Sequence, residues 1–216
     1  MSDVFKNARS KANEALGQSV VKELKKKEYE AVYVPTKEAA LEEVLKIIPE
    51  KVSVGVPGSV TIREIGAMEK LKERGCTVYQ HWDPSLTPET RAQRLMDENC
   101  ADYFLTSANA ITRDGKIINI DGNGNRVSGM AWGRNTLIFV ISVNKVAPDI
   151  ESAIERSRTA SPPNAARLNY NTSCVQTGHC VDCDSKARIC RALLILERAT
   201  SGRKTHVIMV GEDLGF

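Results

Sequence analysis

The fold class follows from residues 31–56, which read AVYVPTKEAALEEVLKIIPEKVSVGV. The first four residues form a β-rich run that ends at Pro35, and residues 52–56 form a second run of this kind. Between the two runs, apolar side chains recur at the spacing of one helix face, at Ala40, Leu41, Val44, Leu45 and Ile48. A strand, a helix and a second strand in this order form a βαβ unit, which predicts parallel strands.

The alternation of strands and helices continues after this unit. A helical pattern over residues 61–74 is followed by a β-rich run at 76–79, and a further helix is followed by a run at 103–106. Asp114-Gly115 then lies between two β-rich segments, which is typical of a tight β-hairpin. The apolar run of residues 136–143 predicts a central strand that is buried on both faces.

The chain is therefore predicted to be an α/β protein with a mainly parallel sheet flanked by helices. Its last two β-rich runs, 193–196 and 207–210, are joined by a Thr-Ser-Gly-Arg turn and predict a closing C-terminal β-hairpin. We expect an N-terminal helix over residues 1–28 and a single α/β domain over residues 29–216. This domain includes a cysteine-rich segment at residues 174–190.

Composition excludes several classes of protein. Among 216 residues, 42% are hydrophobic and 26% are charged, as in globular proteins, and 30 basic side chains nearly balance 27 acidic ones. No basic patch shows in the sequence, so we expect no nucleic-acid partner. The apolar runs are far shorter than the roughly 20 residues that span a bilayer, so we expect no membrane insertion. The N-terminal residues lack the apolar region of a signal peptide, which predicts a cytoplasmic protein.

The loops at the carboxyl ends of parallel strands are the first candidates for a binding site. The loop after the second predicted strand contains Gly58, Ser59 and Thr61, whose backbone and hydroxyl groups suit an anion at the start of a helix. Glu64 has two interpretations: it forms a capping box with Thr61, or it is a carboxylate of the site. As a site residue, Glu64 is a candidate acid or base.

A second polar loop follows the predicted hairpin. Its carboxylate, Asp121, is a candidate acid or base. A turn alone explains the Asn, Asp and Gly residues, which adopt left-handed backbone readily, but a turn needs no arginine. The candidate residues for binding an anion in this loop are Asn119, Gly122, Gly124, Asn125 and Arg126.

Two further candidates follow other strands. Lys145 comes directly after the central strand, where its side chain suits a substrate carboxylate or phosphate, and it is also a candidate catalytic residue; a surface lysine is the competing interpretation. Asn109 follows the strand at 103–106 and adds an amide to the anion-binding candidates. The three histidines stand in unrelated settings, and the nucleophile-elbow and zinc-protease motifs are missing from the sequence. Hydrolysis by a Ser–His–Asp triad is therefore not expected.

Four cysteines stand close together in the chain, at the spacing C-x5-C-x2-C-x6-C. Thiolates are strong metal ligands, and four of them in one short segment repel one another unless a metal centre neutralises them. An iron–sulfur cluster such as 4Fe-4S is the leading interpretation, followed by structural zinc. Redox-active thiols at Cys180 and Cys183 are a third interpretation, and a segment without metal is a fourth. The predicted metal ligands are Cys174, Cys180, Cys183 and Cys190.

Three segments together resemble the LUD (lactate-utilisation) domain family: Pro57–Gly66, Asn119–Arg126 and Asn144–Asp149. The resemblance extends from about residue 20 to Phe216 and is to the short lactate utilisation protein subunit, with an added C-terminal cysteine cluster. It implies a fold similar to that of CoA transferases, ribose-phosphate isomerase and formyltetrahydrofolate cyclo-ligase. It also implies oxidation of lactate to pyruvate together with iron–sulfur partner subunits.

The residues and the resemblance lead to three hypotheses. The first is an iron–sulfur enzyme or redox subunit that acts on a small anionic metabolite, such as the hydroxy acid lactate, with redox partner subunits. The second is a transferase or ligase for a CoA- or folate-type substrate, with a structural zinc. The third is a non-catalytic scaffold or regulatory subunit of a dehydrogenase complex. The oligomeric state is open, with a homo-oligomer as one expectation.

Overall fold

The structure is a computed structural model that describes residues 2–216, which form two β-sheets with helices packed around them. The strands are β1 (Glu30–Val34), β2 (Ser53–Gly55), β3 (Thr77–Tyr79), β4 (Tyr103–Thr106), β5 (Ala110–Thr112), β6 (Ile117–Asp121), β7 (Thr136–Ser142), β8 (Val146–Ala147), β9 (Ala192–Leu196) and β10 (Thr205–Val210). The helices are α1 (Ser2–Lys26), α2 (Lys37–Ile47), α3 (Val60–Glu64), α4 (Ala67–Glu73), α5 (Pro88–Cys100), α6 (Asn125–Ala131), α7 (Ile150–Thr159), α8 (Ser161–Arg167) and α9 (Ser173–Thr177). Within the described residues, no helix has the length and apolar character needed to cross a membrane.

The larger sheet has six strands in the order β1-β10-β7-β4-β2-β3, and every neighbouring pair is parallel. This confirms the predicted α/β class and its mainly parallel sheet. The central strand β7 divides its residues between two cores. Ile138 and Val140 lie in the core with α2 and α4, whereas Leu137, Phe139 and Ile141 lie in the core with α1. Both faces of the strand are buried, which explains its continuous apolar sequence.

The smaller sheet has four strands in the order β8-β5-β6-β9. β5 and β6 form the hairpin predicted around Asp114-Gly115, with Ala110 opposite Ile118. Helix α7 packs on this pair through Ala153, which is fully buried against both residues. In the structure, the second polar loop predicted from the sequence begins at Asp121, the last residue of β6.

The last two strands are present, but they do not pair with each other. β9 is antiparallel to β6 in the smaller sheet, whereas β10 lies between β1 and β7 in the larger one. The predicted C-terminal hairpin turn at residues 200–203 is therefore a connection between two sheets. The physical reason lies in residues 207–210, all of which are fully buried. A two-stranded hairpin leaves one face of such a run in water, whereas the interior of a parallel sheet covers both.

Of two helices predicted from apolar spacing in the first part of the chain, one is continuous in the structure and the other is divided in two. α1 covers most of the helix predicted over residues 1–28, of which Met1 lies outside the described residues. The helix predicted over residues 61–74 is interrupted at Gly66, whose left-handed backbone (φ 70°) separates α3 from α4. A left-handed residue cannot continue a right-handed helix, although the apolar spacing runs across it.

Gly55 permits the close approach of α5 to β2. A Cβ atom at this position would lie 1.9 Å from the backbone carbonyl oxygen of Glu98. We expect Gly55→Ala to lower the free energy of unfolding by about 3 kcal/mol, because the added methyl group forces the helix away from the sheet. Urea denaturation of both proteins measures the difference.

The matched control for this variant is Gly202→Ala. A Cβ at Gly202 would meet nothing within 4 Å in the described chain, although φ is 87°. We expect this control to lose only about 1 kcal/mol, through backbone strain. Equal losses in the two variants would contradict the packing argument.

Candidate functional site

Five loops meet at one edge of the larger sheet. Because its strands are all parallel, the loops after β2, β3, β4, β7 and β10 leave the sheet at the same edge. Two adjoining cavities lie there. The five loops contribute to their walls Gly58, His81, Asn109, Lys145 and Gly215. The parallel topology thus brings together residues that are far apart in the sequence.

Lys145 is buried at this edge and is only 3% exposed. Its Nζ donates hydrogen bonds to the hydroxyl groups of Thr61, at 2.9 Å, and Ser107, at 3.1 Å. None of the ion pairs between residues 2 and 216 includes this lysine. Burial and the charge of Arg156 lower the pKa of Lys145 from 10.5 to about 7. The side chain is therefore not the exposed ammonium group of a surface lysine.

The two cavities differ in size and share part of their walls. The larger has a volume of about 520 Å³ and the smaller, beside Lys145, about 30 Å³. Small-molecule sites measure roughly 300–1,000 Å³, whereas the smaller void has room for a water molecule or one functional group. Four residues line both: Gly58, Asn109, Arg126 and Asn164.

The wall of the larger cavity is strongly cationic. Among its Arg, Lys, Asp and Glu residues in the described chain, six are basic and one, Asp121, is acidic. Arg188 pairs with Asp182 at 2.7 Å, and Arg126 lies 3.6 Å from Asp121. The remaining four basic residues have no ion pair with any residue from 2 to 216, so the cavity favours an anion. The six basic residues, called the cationic wall below, are Arg91, Arg126, Arg167, Lys186, Arg188 and Arg191.

Asp121, a predicted acid or base, organises the loop that follows β6. One of its carboxylate oxygens accepts hydrogen bonds from the amides of Arg126, at 2.7 Å, and Val127, at 3.3 Å. These amides begin α6, and Gly124 before them has left-handed backbone (φ 83°). The carboxylate is thus occupied in capping a helix. The Arg126 guanidinium donates a hydrogen bond to the carbonyl of Ile120 at 2.7 Å and lines both cavities.

Three asparagines lie at this loop: two hold it in place by hydrogen bonds, and the third lines the larger cavity. The Asn119 side chain accepts a hydrogen bond from the Asn109 amide at 3.0 Å, and the Asn109 side chain accepts one from the Ile120 amide at 2.8 Å. This reciprocal pair ties the start of β5 to β6. Asn125 lines the larger cavity, and its buried Nδ2 has no hydrogen-bond partner in the described chain. An acceptor on a ligand would satisfy this donor.

The predicted site residues after β2 have separate roles. Ser59 caps α3, since its hydroxyl accepts a backbone amide hydrogen bond at 3.3 Å. Thr61 is buried in the helix and binds the lysine amine. Glu64 is exposed, lies outside both cavities and accepts a hydrogen bond from the Gly215 amide at 2.6 Å. The capping-box interpretation of Thr61 and Glu64 is therefore wrong, because Ser59 occupies the cap position.

Sequence reasoning missed an aromatic residue at the cavity, Trp82. Two guanidinium groups stack on its ring: Cζ of Arg63 lies 4.3 Å from the ring centre, and Cζ of Arg167 lies 4.1 Å from it. Burial, followed by the charges of Arg126 and Arg63, lowers the pKa of Arg167. A Cβ at Gly58 would lie 2.8 Å from the indole nitrogen, so glycine lets this loop approach the stack.

His81 was missed as well, although it lines the larger cavity. Its Nδ1 lies 2.8 Å from Oε1 of Glu98, which is 0% exposed. Burial raises the pKa of Glu98, and the hydrogen bond from His81 opposes this shift. A carboxylate behind an imidazole orients the ring for proton transfer. The signal for both His81 and Trp82 was their position directly after β3.

The four predicted metal ligands do not converge. Cys174 is buried, with its sulfur 3.1 Å from the Thr172 hydroxyl, and Cys180, Cys183 and Cys190 are half-buried free thiols. Across residues 2–216, no group of three or more His, Cys, Asp or Glu side chains is placed to hold a metal ion. The cysteines in this arrangement do not fit an iron–sulfur cluster or a structural zinc, and either centre stays a prediction from the sequence.

The cysteine-rich segment nevertheless forms one side of the larger cavity. Its residues 186–191 supply three members of the cationic wall. A Cβ at Gly122 would lie 3.1 Å from the Cα of Ile189, so this glycine lets the segment pack closely on the second polar loop. The Arg188 side chain donates hydrogen bonds to the carbonyls of Cys183 and Cys190, both at 2.9 Å. The segment therefore contributes to the site through its basic residues.

Comparison with known proteins adds a family and a fold. The model of the LUD domain family matches residues 17–210. The crystal structure of a DUF162 family protein from Deinococcus radiodurans is similar, with a TM-score of 0.52 and 15% identity, and the match covers 92% of this chain and 98% of that chain. At this identity the likeness concerns the fold alone. No curated protein matches the chain in sequence.

Lys145→Met tests the burial of a titrating amine. The pKa of this lysine is about 7 in the folded protein and 10.5 ordinarily, so the unfolded chain holds more protons between these pH values. The free energy of unfolding of the wild type therefore rises through this window, by at most about 1.4 kcal/mol per pH unit, and the variant lacks the gain. We expect the stability of the variant relative to the wild type to fall as the pH rises above 7.

Urea unfolding at several pH values between 6 and 9 measures this difference. Lys204→Met, which removes an exposed lysine just before β10 at the opposite edge of the sheet, controls for the loss of one positive charge. A stability difference between Lys145→Met and the wild type that is the same at every pH would contradict the burial of a titrating amine.

Proposed function

The chain belongs to the LUD domain family, and we propose that it binds and transforms a small anionic metabolite of the hydroxy- or oxo-acid class. The family is associated with lactate utilisation, and lactate is a hydroxy acid whose oxidation gives the oxo acid pyruvate. The proposed binding site is the larger cavity at the carboxyl edge of the parallel sheet, with Lys145 in the void beside it.

The observation that carries this proposal is the charge of the cationic wall. Six basic side chains face a single carboxylate in the described chain, and that carboxylate, Asp121, already caps a helix. Arg126 and Arg63 lie close enough to Arg167 to lower its pKa. A bound carboxylate or phosphate relieves this repulsion and forms charge-assisted hydrogen bonds.

Arg126 and Asn125 are best placed to bind the anionic group. Arg126 lines both cavities, and Asn125 offers an amide donor that has no partner within residues 2–216. His81, backed by a buried carboxylate, is suited to exchange a proton with an oxygen of the ligand. This role replaces the one expected for Asp121 or Glu64, because the first caps a helix and the second lies outside the cavity.

A CoA- or folate-type substrate is the second candidate. A cavity of about 520 Å³ exceeds the needs of a three-carbon acid, and several basic side chains without acidic partners suit more than one anionic group. Thermal-shift screening with lactate, pyruvate, phosphosugars and acyl-CoA separates the candidates. The ligand that binds the folded protein raises its melting temperature.

The metal centre predicted from the sequence has a separate test. In the described residues the four cysteines do not form a metal-binding group, so the proposed function assigns no catalytic step to a cluster. Iron, acid-labile sulfide and zinc are measured in protein purified without oxygen, beside a Cys180→Ser, Cys183→Ser double variant. Stoichiometric metal that the double variant loses supports the centre, and metal-free wild-type protein removes the redox hypothesis.

Arg126→Ala tests the binding function. Loss of a charge-assisted hydrogen bond costs about 1.5–3 kcal/mol, so we expect the Kd for lactate or pyruvate to rise about ten- to a hundredfold. Isothermal titration calorimetry measures the change. Arg134→Ala is the matched control, because Arg134 is exposed and lines neither cavity, and it should bind as the wild type does. Equal affinities in the two variants, or no binding of any screened anion by the wild type, would contradict the proposal.

A further inference from the structure

We propose that Lys145 is a covalent nucleophile, which forms an imine with the carbonyl group of a 2-oxo acid. The inference rests on the proposed function, because it places the reacting carbonyl where the two cavities meet. It goes beyond that function, because it places a covalent step on one residue, Lys145.

The first support is the set of groups around the amine. Nζ contacts the hydroxyls of Thr61, at 2.9 Å, and Ser107, at 3.1 Å. No carboxylate pairs with it in the part of the chain that the structure describes. A buried lysine that serves as a structural charge needs an acidic partner, because an unpaired buried ammonium is costly. Hydroxyl groups both donate and accept hydrogen bonds, so they also suit a neutral amine with its lone pair free to react.

The second support is the electrostatic environment. Arg156 and Arg126 disfavour the ammonium form, and Glu64, which favours it, is engaged with the Gly215 amide. Together with burial, these charges lower the pKa of the amine to about 7, so much of it is neutral at neutral pH. Desolvation beside another cationic group is an established way for a protein to activate a lysine as a nucleophile.

The third support is access. The void of about 30 Å³ beside Lys145 shares Gly58, Asn109 and Arg126 with the larger cavity. Arg126 and Lys145 line this void together, and the void has room for one carbonyl group. We therefore place the carboxylate of the 2-oxo acid at Arg126 and its carbonyl group in the void. Gly215 leaves space beside the amine, because a Cβ at that position would lie 2.9 Å from Nζ.

The proposed step needs no oxidant or reductant. The nitrogen lone pair adds to the carbonyl carbon, and the carbonyl oxygen becomes a hydroxyl group with one of the two amine protons. That hydroxyl leaves as water with the second amine proton while the C=N bond forms. One amine and one carbonyl group thus give one imine and one water.

Borohydride trapping tests the proposal. The whole chain is incubated with pyruvate, reduced with sodium borohydride, and analysed by intact mass and peptide mapping. We expect a single adduct of about 72 Da on Lys145, because reduction converts the imine to a stable secondary amine. Lactate has a hydroxyl group where pyruvate has its keto group, so it cannot form an imine and should leave the mass unchanged.

Two variants control the labelling. Lys145→Met should abolish it, and Lys204→Met, at the opposite edge of the sheet, should leave it unchanged. Peptide mapping of the wild type identifies the labelled lysine even where the Lys145 variant fails to fold. Labels scattered over exposed lysines, with none on Lys145, would overturn the proposal.

Calorimetry with pyruvate and lactate on the same preparation separates this inference from the function on which it rests. Binding of either acid without a borohydride adduct overturns the covalent step and leaves the proposed function standing. Absence of both binding and labelling overturns the two together. An adduct on Lys145 that Arg126→Ala reduces supports both.

Discussion

The parallel pairing of all six strands in the larger sheet determines where the candidate site lies. Each strand is parallel to its neighbours, so all six carboxyl ends lie at one edge of the sheet. Loops that are distant in the chain therefore bring Gly58, His81, Asn109 and Lys145 to the same cavities. β10 joins β1 to this sheet, because β10 is the one strand with which β1 pairs in the described chain.

The fold was predictable wherever a local signal decides the structure. Apolar periodicity identifies the parallel strands over residues 31–106, and Asp114-Gly115 identifies the hairpin, because both signals act over a few residues. The pairing of β9 and β10 depends on which sheet can bury residues 207–210 on both faces, and no turn signal contains that information. The capping box proposed for Thr61 and Glu64 is wrong for a related reason: Ser59 is also a good cap residue, and the local sequence does not decide which of the two begins α3.

The candidate site was predictable only from position. The rule that ligands lie at strand ends points to Asn109 and Lys145. It applies equally to His81 and Trp82, which were missed because they belong to no recognised motif. The cationic wall was hidden because its members lie on separate elements, and a net charge of +3 gives no sign of a local excess. The cysteine spacing indicated a metal, whereas the described arrangement uses residues 186–191 as a source of positive charge.

The position of β10 also affects how the protein is made. Among the described residues β1 is the first strand and β10 is the last. β10 is nevertheless the one strand with which β1 pairs in the described chain. During translation the first strand must therefore remain unpaired until the last one leaves the ribosome, and closure over so long a loop makes folding slow. Until β10 is inserted, β1 and one edge of β7 present unpaired backbone N–H and C=O groups, which can pair with strands of other chains.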